Sequence, residues 1–290
     1  MILPINKLVD SRYVPTRFLA SGGMAEIYEA NDTYRHKPVA IKIIKEQFND
    51  SIFELERFQN EARYASMFSH PHIVKIYNVG EYQKNFFIVL ELMRGRTLKD
   101  YLDERGYLSL DDAINITLQL LDATKHIHER KILHNDIKPE NLFLFLDGNI
   151  KLIDFGIASH FDEEVDKVNA SILYTAPEVL RSGRYSVQSD IYATGVLLFE
   201  LLTGKNPFDK NAKTEEVINY RLTADVPSLK GYVHFSDRLK EIDHVIQKAT
   251  NRVLNSRYKN DDEIINDLLE IKNGDKTPKK VGFFQRVFGK

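Results

Sequence analysis

The short loop Ile132-Leu133-His134-Asn135-Asp136-Ile137-Lys138-Pro139-Glu140-Asn141 holds an acid, a cation and an amide close together. A carboxylate at Asp136 can accept a hydroxyl proton. Lys138 can steady a transferring phosphoryl group, and the side-chain oxygen of Asn141 can ligate a hard cation. Further on, Asp154-Phe155-Gly156 follows the apolar run Lys151 to Ile153. A carboxylate at a strand end with a glycine hinge behind it can hold a divalent cation against phosphates while the next segment moves. Upstream, Lys42 closes the apolar run Val39-Ala40-Ile41. Burying an unpaired ammonium costs several kcal/mol, so this lysine needs an anion, and Glu61 is the candidate. The small-residue stretch Ala20-Ser21-Gly22-Gly23-Met24-Ala25-Glu26-Ile27 lets backbone N–H groups approach a phosphate closely. Each feature alone has a plainer reading: a polar turn, a strand-end acid, an edge-strand lysine, a hairpin. Their order along one chain points to nucleotide phosphate chemistry.

The elements that must position these groups follow from the apolar pattern. Tyr13 to Leu19, Ala25 to Ala30, Val39 to Ile44, Ile73 to Val79 and Phe86 to Leu92 read as strands. Between the third and fourth, Ser51 to Phe68 has helical spacing in Phe53, Phe58, Ala62, Ala65 and Met67. After Gly95 the chain turns helical, with Ser109 to Glu129, Tyr192 to Leu202, Leu239 to Ala249 and Asp261 to Ile271. Leu142 to Phe145 and Ile150 to Leu152 flank Asp147-Gly148, a hairpin turn. The composition shift at Arg94 to Leu98 marks a boundary between a small sheet domain and a larger helical one. The cleft between them is where a small molecule would bind.

Composition narrows the classes. The chain has 290 residues, 43% hydrophobic and 28% charged, as an ordinary globular protein has. Forty Lys and Arg against 42 Asp and Glu leave a net charge of −2, which argues against nucleic acid as the partner. There is no cysteine, so thiol nucleophiles and cysteine-held metals are excluded. No apolar run approaches the ~20 residues that span a bilayer, and the expectation is a cytoplasmic protein. His126, His128 and Glu129 lack a convergent third ligand and read as polar residues at a helix end.

In their order these motifs resemble a eukaryotic-type (Hanks-type) Ser/Thr protein kinase, and Ser21-Gly22-Gly23-Met24 is most like the bacterial members. His70-Pro71-His72-Ile73-Val74, Ala176-Pro177-Glu178, Asp190 with Gly195, and a late Arg257 able to pair with Glu178 complete the resemblance over residues 13 to 270. It implies an α+β, two-lobed fold: an N-lobe over 13–93 with a five-stranded antiparallel sheet and one helix, a mainly helical C-lobe over 94–271, and a tail over 272–290. It implies ATP and Mg²⁺ as cofactors, with Mn²⁺ an admitted substitute, and protein Ser/Thr hydroxyls as acceptors. Lys42, held by Glu61, would contact the α and β phosphates, beneath a loop formed by Ala20, Ser21, Gly22, Gly23, Met24 and Ala25. Asp136 would orient and deprotonate the acceptor, beside Lys138, and Asn141 and Asp154 would hold metal. The adenine would lie between Ile27 and Ala40 above and Phe143 below, with Leu90 as gatekeeper and Glu91 to Met93 as hinge. Ala65, Ile76, His134 and Phe155 would stack across the lobes, anchored by Asp190.

Three departures stand out. Ala20 and Ala25 replace the outer glycines of the phosphate loop, which predicts a stiffer loop. Asn135 stands where regulated kinases carry an arginine for an activation-loop phosphate, and Phe161 to Asn169 contains acids but no Ser, Thr or Tyr. Activity is therefore expected without phosphorylation there; Ser159, Ser171 and Thr175 are the remaining candidates for autophosphorylation, with a structural role in the substrate loop favoured for Ser171 and Thr175. The junction Ala170-Ser171 replaces a Gly-Thr pair, with slight consequence. Two functions stay open: an active kinase, favoured because Lys42, Glu61, Asp136, Asn141 and Asp154 are all present, and a nucleotide-binding pseudokinase scaffold. In the tail, Val281, Phe284, Val287 and Phe288 share a helical face with Lys279, Lys280, Arg286 and Lys290 nearby. It reads as a docking segment for the kinase body or for an anionic membrane surface at the inner membrane face. Dimerisation is left open.

Overall fold

A computed structural model describes residues 2–161, 163, 171–208, 212–233 and 236–274. The acidic residues Asp162, Glu164 and Asp166, the junction residue Ala170 and the tail at 281–290 lie outside them. Strands β1 (Tyr13–Ser21), β2 (Ala25–Asp32), β3 (Lys37–Ile44), β4 (Ile76–Tyr82) and β5 (Asn85–Glu91) form a five-stranded antiparallel sheet in the order β1-β2-β3-β5-β4. Period-two alternation in β3 sorts its side chains. Val39, Ile41 and Ile43 join one core cluster, and Ala40 and Ile44 join the other. Lys42 shares the face of Ala40 and Ile44, which turns it toward the helix on that side. The opposite face is covered by a segment that periodicity does not reveal: Leu3 and Val9, both buried, pack on Tyr28 and Val39. The hydroxyl of Tyr28 accepts from the N–H of Ile2 at 2.7 Å.

Helix α1 (Ile52–Ala65) starts at Ser51, whose hydroxyl accepts from the Glu54 N–H. Its buried face carries Phe58, Glu61 and Ala65 at three- and four-residue spacing, so the one acid on that face meets β3. The fourth strand starts at Ile76, three residues after the expected Ile73. His72 to Val74 instead bind the second half of the chain: the Leu152 N–H donates to His72 at 2.9 Å and the Val74 N–H to Leu152 at 3.0 Å. Backbone groups that could have extended the sheet instead tie it to the strands below.

Short strands β6 (Gly95–Thr97), β7 (Ile132–Leu133), β8 (Leu142–Phe145), β9 (Ile150–Leu152) and β10 (Ser159–His160) form two small sheets, β6-β8-β9 and β10-β7. Eight α-helices occur among the described residues: α1, α2 (Leu98–Arg105), α3 (Leu110–His128), α4 (Pro177–Ser182), α5 (Val187–Thr203), α6 (Thr214–Thr223), α7 (Asp237–Ala249) and α8 (Asp261–Asn273). Helix α5 starts earlier than its apolar run because Ser186 and Ser189 form a reciprocal cap. It is the hub of the helical part, buried from Ser189 to Leu202. Gly195 lets α7 approach, since a Cβ there would lie 2.8 Å from the Ala249 Cβ. No helix among the described residues is long and apolar enough to cross a membrane.

Candidate active site

Between the sheet and the helical part lies a cleft of about 600 Å³. Gly22, Gly23, Met24, Ala25 and Ile27 line it from above, Lys42 and Glu61 from behind, and Asn141 and Asp154 from below. Lys42 pairs with Glu61, and both side chains are largely buried. Burial opposes charge on Lys42, but the Glu61 and Asp154 carboxylates overcome it and raise the ammonium above its ordinary value. Burial likewise opposes charge on Asp154, and Lys42 and the Gly156 N–H together lower its carboxyl below the usual range. The cleft thus contains an ionised acid beside a fixed cation. Asp154 sits at φ 62°, a left-handed conformation uncommon outside glycine. Gly156 has little room beyond hydrogen: a Cβ would lie 3.1 Å from Asp154 Oδ1 and 3.3 Å from the Arg57 carbonyl of α1.

The loop after β7 brings the other groups to the cleft floor. One Asp136 oxygen, Oδ2, meets Lys138 Nζ at 2.7 Å and Asn141 Nδ2 at 2.9 Å. The other, Oδ1, accepts from the Ser171 N–H at 3.3 Å. Lys138 also donates to Ser171 Oγ at 2.7 Å, which ties the floor to the segment before α4. Asn141 spends its amide hydrogens on the Asp136 carbonyl and carboxylate. Its side-chain oxygen is left for a cation, with Asp154 as the second oxygen donor.

The phosphate-loop departure has a structural answer. Residues 20 to 25 have no positive φ, so Ala20 and Ala25 adopt their conformations without strain. Ala20 pairs with Ile27 and Ser21 with Glu26 across β1 and β2, and the turn closes through the Gly22 N–H to the Ala25 carbonyl at 2.9 Å. Lys45, the residue after β3, clamps that turn, donating to the carbonyls of Gly22 at 2.6 Å and Gly23 at 3.1 Å.

Leu90 and Met93 line the cleft. Glu91 turns its side chain away, to the Lys75 N–H and to Lys151 Nζ, both at 2.8 Å. Its backbone N–H is also engaged, donating to the Lys75 carbonyl at 2.9 Å. Ala40 stands opposite Leu90 in the sheet, and the Phe143 ring lies against Phe145. Neither is among the residues that line the cleft, which is bounded there by Val74 and Ile153.

Behind the cleft, Phe155 is fully buried, edge-on to His134 with ring centroids 4.9 Å apart. Ala65, Ile76 and Phe155 belong to one apolar cluster. Asp190 anchors the loop below: Oδ2 accepts from the His134 N–H and Oδ1 from the Asn135 N–H, each at 2.9 Å. Asn135 donates its amide to the Ile157 carbonyl and to Ser159 Oγ, again at 2.9 Å. Glu163 accepts from the His160 N–H at 3.0 Å and from the Tyr64 hydroxyl of α1 at 3.2 Å.

Sequence reasoning missed three contributors. Lys45 and Arg57 carry no motif, yet one clamps the loop and the other lines the cleft one helical turn before Glu61. His128, read as a helix-end residue, is a buried bridge: Nε2 lies 2.9 Å from Asp190 and Nδ1 2.7 Å from Asp261 of α8. The helical spacing of α3 turns His128 inward, but nothing local indicates Asp261 as its partner. Arg257, fully buried, reaches Glu178 at 2.6 and 3.1 Å, as expected from the sequence.

Residues 13–269 match the family model described as "Protein kinase domain". The chain is 37% identical over 281 residues to the serine/threonine-protein kinase PrkC of Bacillus subtilis, covering 95% of this chain and 43% of that protein. It is 34% identical over 273 residues to the probable serine/threonine-protein kinase PknB of Lactococcus lactis, covering 92% and 43%. To the serine/threonine-protein kinase PknL of Mycobacterium tuberculosis it is 32% identical over 255 residues, covering 87% and 63%. The chain spans less than half the length of the first two.

Proposed function

The chain belongs to the protein kinase family, and from that premise we propose that it transfers the γ-phosphate of ATP to Ser and Thr hydroxyls of proteins. The observation that carries this reading is the Asp136 carboxylate held between Lys138 and Asn141, the latter lining the cleft that also contains Asp154 and the Lys42–Glu61 pair. Asp136 accepts the proton of the acceptor hydroxyl as its oxygen bonds to phosphorus and the bond to the leaving phosphate oxygen breaks. Lys42 and the N–H groups of the β1–β2 turn hold the nucleotide phosphates, and Lys138 steadies the transferring group. Asn141 and Asp154 fit a hard divalent cation, for which we propose Mg²⁺; it would neutralise charge on the phosphoryl oxygens. Ile27, Leu90 and Met93, with Val74 and Ile153 where Ala40 and Phe143 were expected, would enclose the adenine. The lobe boundary falls between Met93 and Arg94, and use of ATP suits a cytoplasmic location. The Lys138–Ser171 contact supports Ser/Thr over Tyr acceptors. Phosphoamino-acid analysis tests this: label on phosphoserine and phosphothreonine is expected, and label on phosphotyrosine alone would overturn it.

We further propose that phosphorylation in the middle of the activation segment is not needed. Asn135 holds the start of that segment with neutral hydrogen bonds to Ile157 and Ser159, where a phosphate-binding arginine would need its anion. Ser159 is itself buried, and Thr175 donates to the Ser171 carbonyl at 3.1 Å, which supports structural roles for both hydroxyls. Phosphatase treatment is expected to leave the rate unchanged; a rate lost with the phosphate would refute this. The altered glycines and Asn135 motivate the scaffold reading; the unstrained loop and the Asn135 hydrogen bonds support the active kinase instead.

A further inference from the structure

We propose that the chain's own C-terminal segment, residues 275–290, folds back into a groove behind the β8–β9 hairpin and docks there as an intramolecular ligand. The groove measures about 560 Å³ and lies between the start of α3 and the hairpin turn. Its floor is apolar, with Leu108, Ile116 and Leu144 buried, and its rim carries Leu146, 98% exposed. An aliphatic side chain left fully in water at the edge of a groove with an apolar floor and a polar wall is ready to be covered.

Three observations select the occupant. Lys272 of α8 lines the same groove, so the segment that follows Gly274 begins within two residues of it. The linker Asp275 to Lys280 spans ~20 Å when extended, and so short a tether holds the following residues at an effective concentration of about millimolar. Beyond it, Val281, Phe283, Phe284, Val287 and Phe288 supply apolar side chains.

Charge agrees. Asp112 and Asp147 line the groove, and neither has a cationic partner among the described residues. The neighbouring Asp111, by contrast, pairs with Arg238 at 2.7 Å. Asp112 accepts from Ser109 and Asp147 from Asn149, and Lys279, Lys280, Arg286 and Lys290 of the segment would supply the cations that these two acids lack. The same acids, beside the exit point, would repel an anionic lipid surface. The hairpin follows Asn141 directly, and Gln119 of α3 braces it through the Gly148 carbonyl at 3.1 Å and the Ile150 N–H at 2.9 Å. A docked tail therefore adds a third support to the strand that continues from the cleft floor.

Hydrogen exchange on full-length protein tests the proposal. Amides of 142–149 are expected to exchange about fivefold more slowly in wild type than in a Phe284→Asp, Phe288→Asp variant, given a weak contact at millimolar effective concentration. Leu146→Asp, a change at an exposed position, should abolish the difference, and wild-type protection should not depend on protein concentration. Equal exchange in wild type and tail variant would overturn the proposal. So would protection that grows with concentration, the mark of a second copy. Tail-dependent binding to phosphatidylglycerol vesicles without tail-dependent exchange at the hairpin would overturn it in favour of a membrane.

Discussion

His128 makes the most quantitative prediction. Its ring nitrogens each face a carboxylate, Asp190 at 2.9 Å and Asp261 at 2.7 Å, so both must carry protons for both bonds to form. Burial disfavours the charge, but the bonds to Asp190 and Asp261 overcome it and push the imidazole up to about 9. A group whose value rises on folding stabilises the fold fully below its unfolded value, here ~6.5, and loses that contribution as pH rises through the folded value. A rise of roughly 2.5 units corresponds to about 3 kcal/mol below pH 6, falling to about half of that near pH 8 and to a few tenths near pH 9. The decisive experiment is urea unfolding of wild type and His128→Gln between pH 6 and 9.5, with the difference taken at each pH so that other groups cancel. The stability advantage of wild type should shrink steadily toward alkaline pH. The His128 ring resonance should stay in its protonated position through neutral pH and titrate near 9. A difference that is flat with pH, or a ring that titrates near 6.5, would refute the reasoning. Because Asp190 also holds the His134 and Asn135 N–H groups, the phosphoryl-transfer rate should decline over the same alkaline window.

Three other perturbations have stated outcomes. Glu61→Gln leaves Lys42 largely buried with no carboxylate but Asp154 close by; breaking such a pair costs ~3–5 kcal/mol, read as a lowered urea midpoint together with a raised KM for ATP. Arg257→Ala strips Glu178 and the Asn251 and Gln188 carbonyls of their buried donor, and a loss of about 3 kcal/mol or more in urea unfolding is expected. Arg57 lines the phosphate end of the cleft, so Arg57→Ala should weaken ATP more than ADP in calorimetric titration; equal loss for both would place Arg57 away from the γ-phosphate.

The cleft was legible in the sequence where chemistry-bearing residues sit in fixed local order. Asp136, Lys138 and Asn141 converge because a single loop carries them, and Lys42 faces the cleft because strand alternation leaves it no other face. Glu61 could be matched to Lys42 from sequence because it lies near the middle of the inserted helix, although the spacing misplaced part of the buried face: Phe53 and Met67, expected on it, are exposed, and Glu61 and Tyr64 are buried. Contacts between distant segments were not legible. His128 meets Asp261 only because α3 and α8 pack together, and periodicity says nothing about which helices pair. The late start of β4 has the same origin, since the partner of Val74 is Leu152 from the other half of the chain. The segment at Leu3 to Val9 escaped because it packs without regular repeat on a sheet face that strand alternation alone leaves open. The Ala substitutions in the phosphate loop looked like a loss only while its backbone angles were unknown.

In the proposed reaction Asp136, held by Lys138 and Asn141, takes the proton of a Ser or Thr hydroxyl during phosphoryl transfer. Single-turnover transfer from γ-labelled ATP to a Ser/Thr protein substrate, with and without Mg²⁺, compares wild type with Asp136→Asn. The variant keeps the shape of the site but cannot accept the proton, so the rate should fall by about 10²-fold or more while ATP affinity stays within about twofold. Equal single-turnover rates for the two proteins would contradict the account.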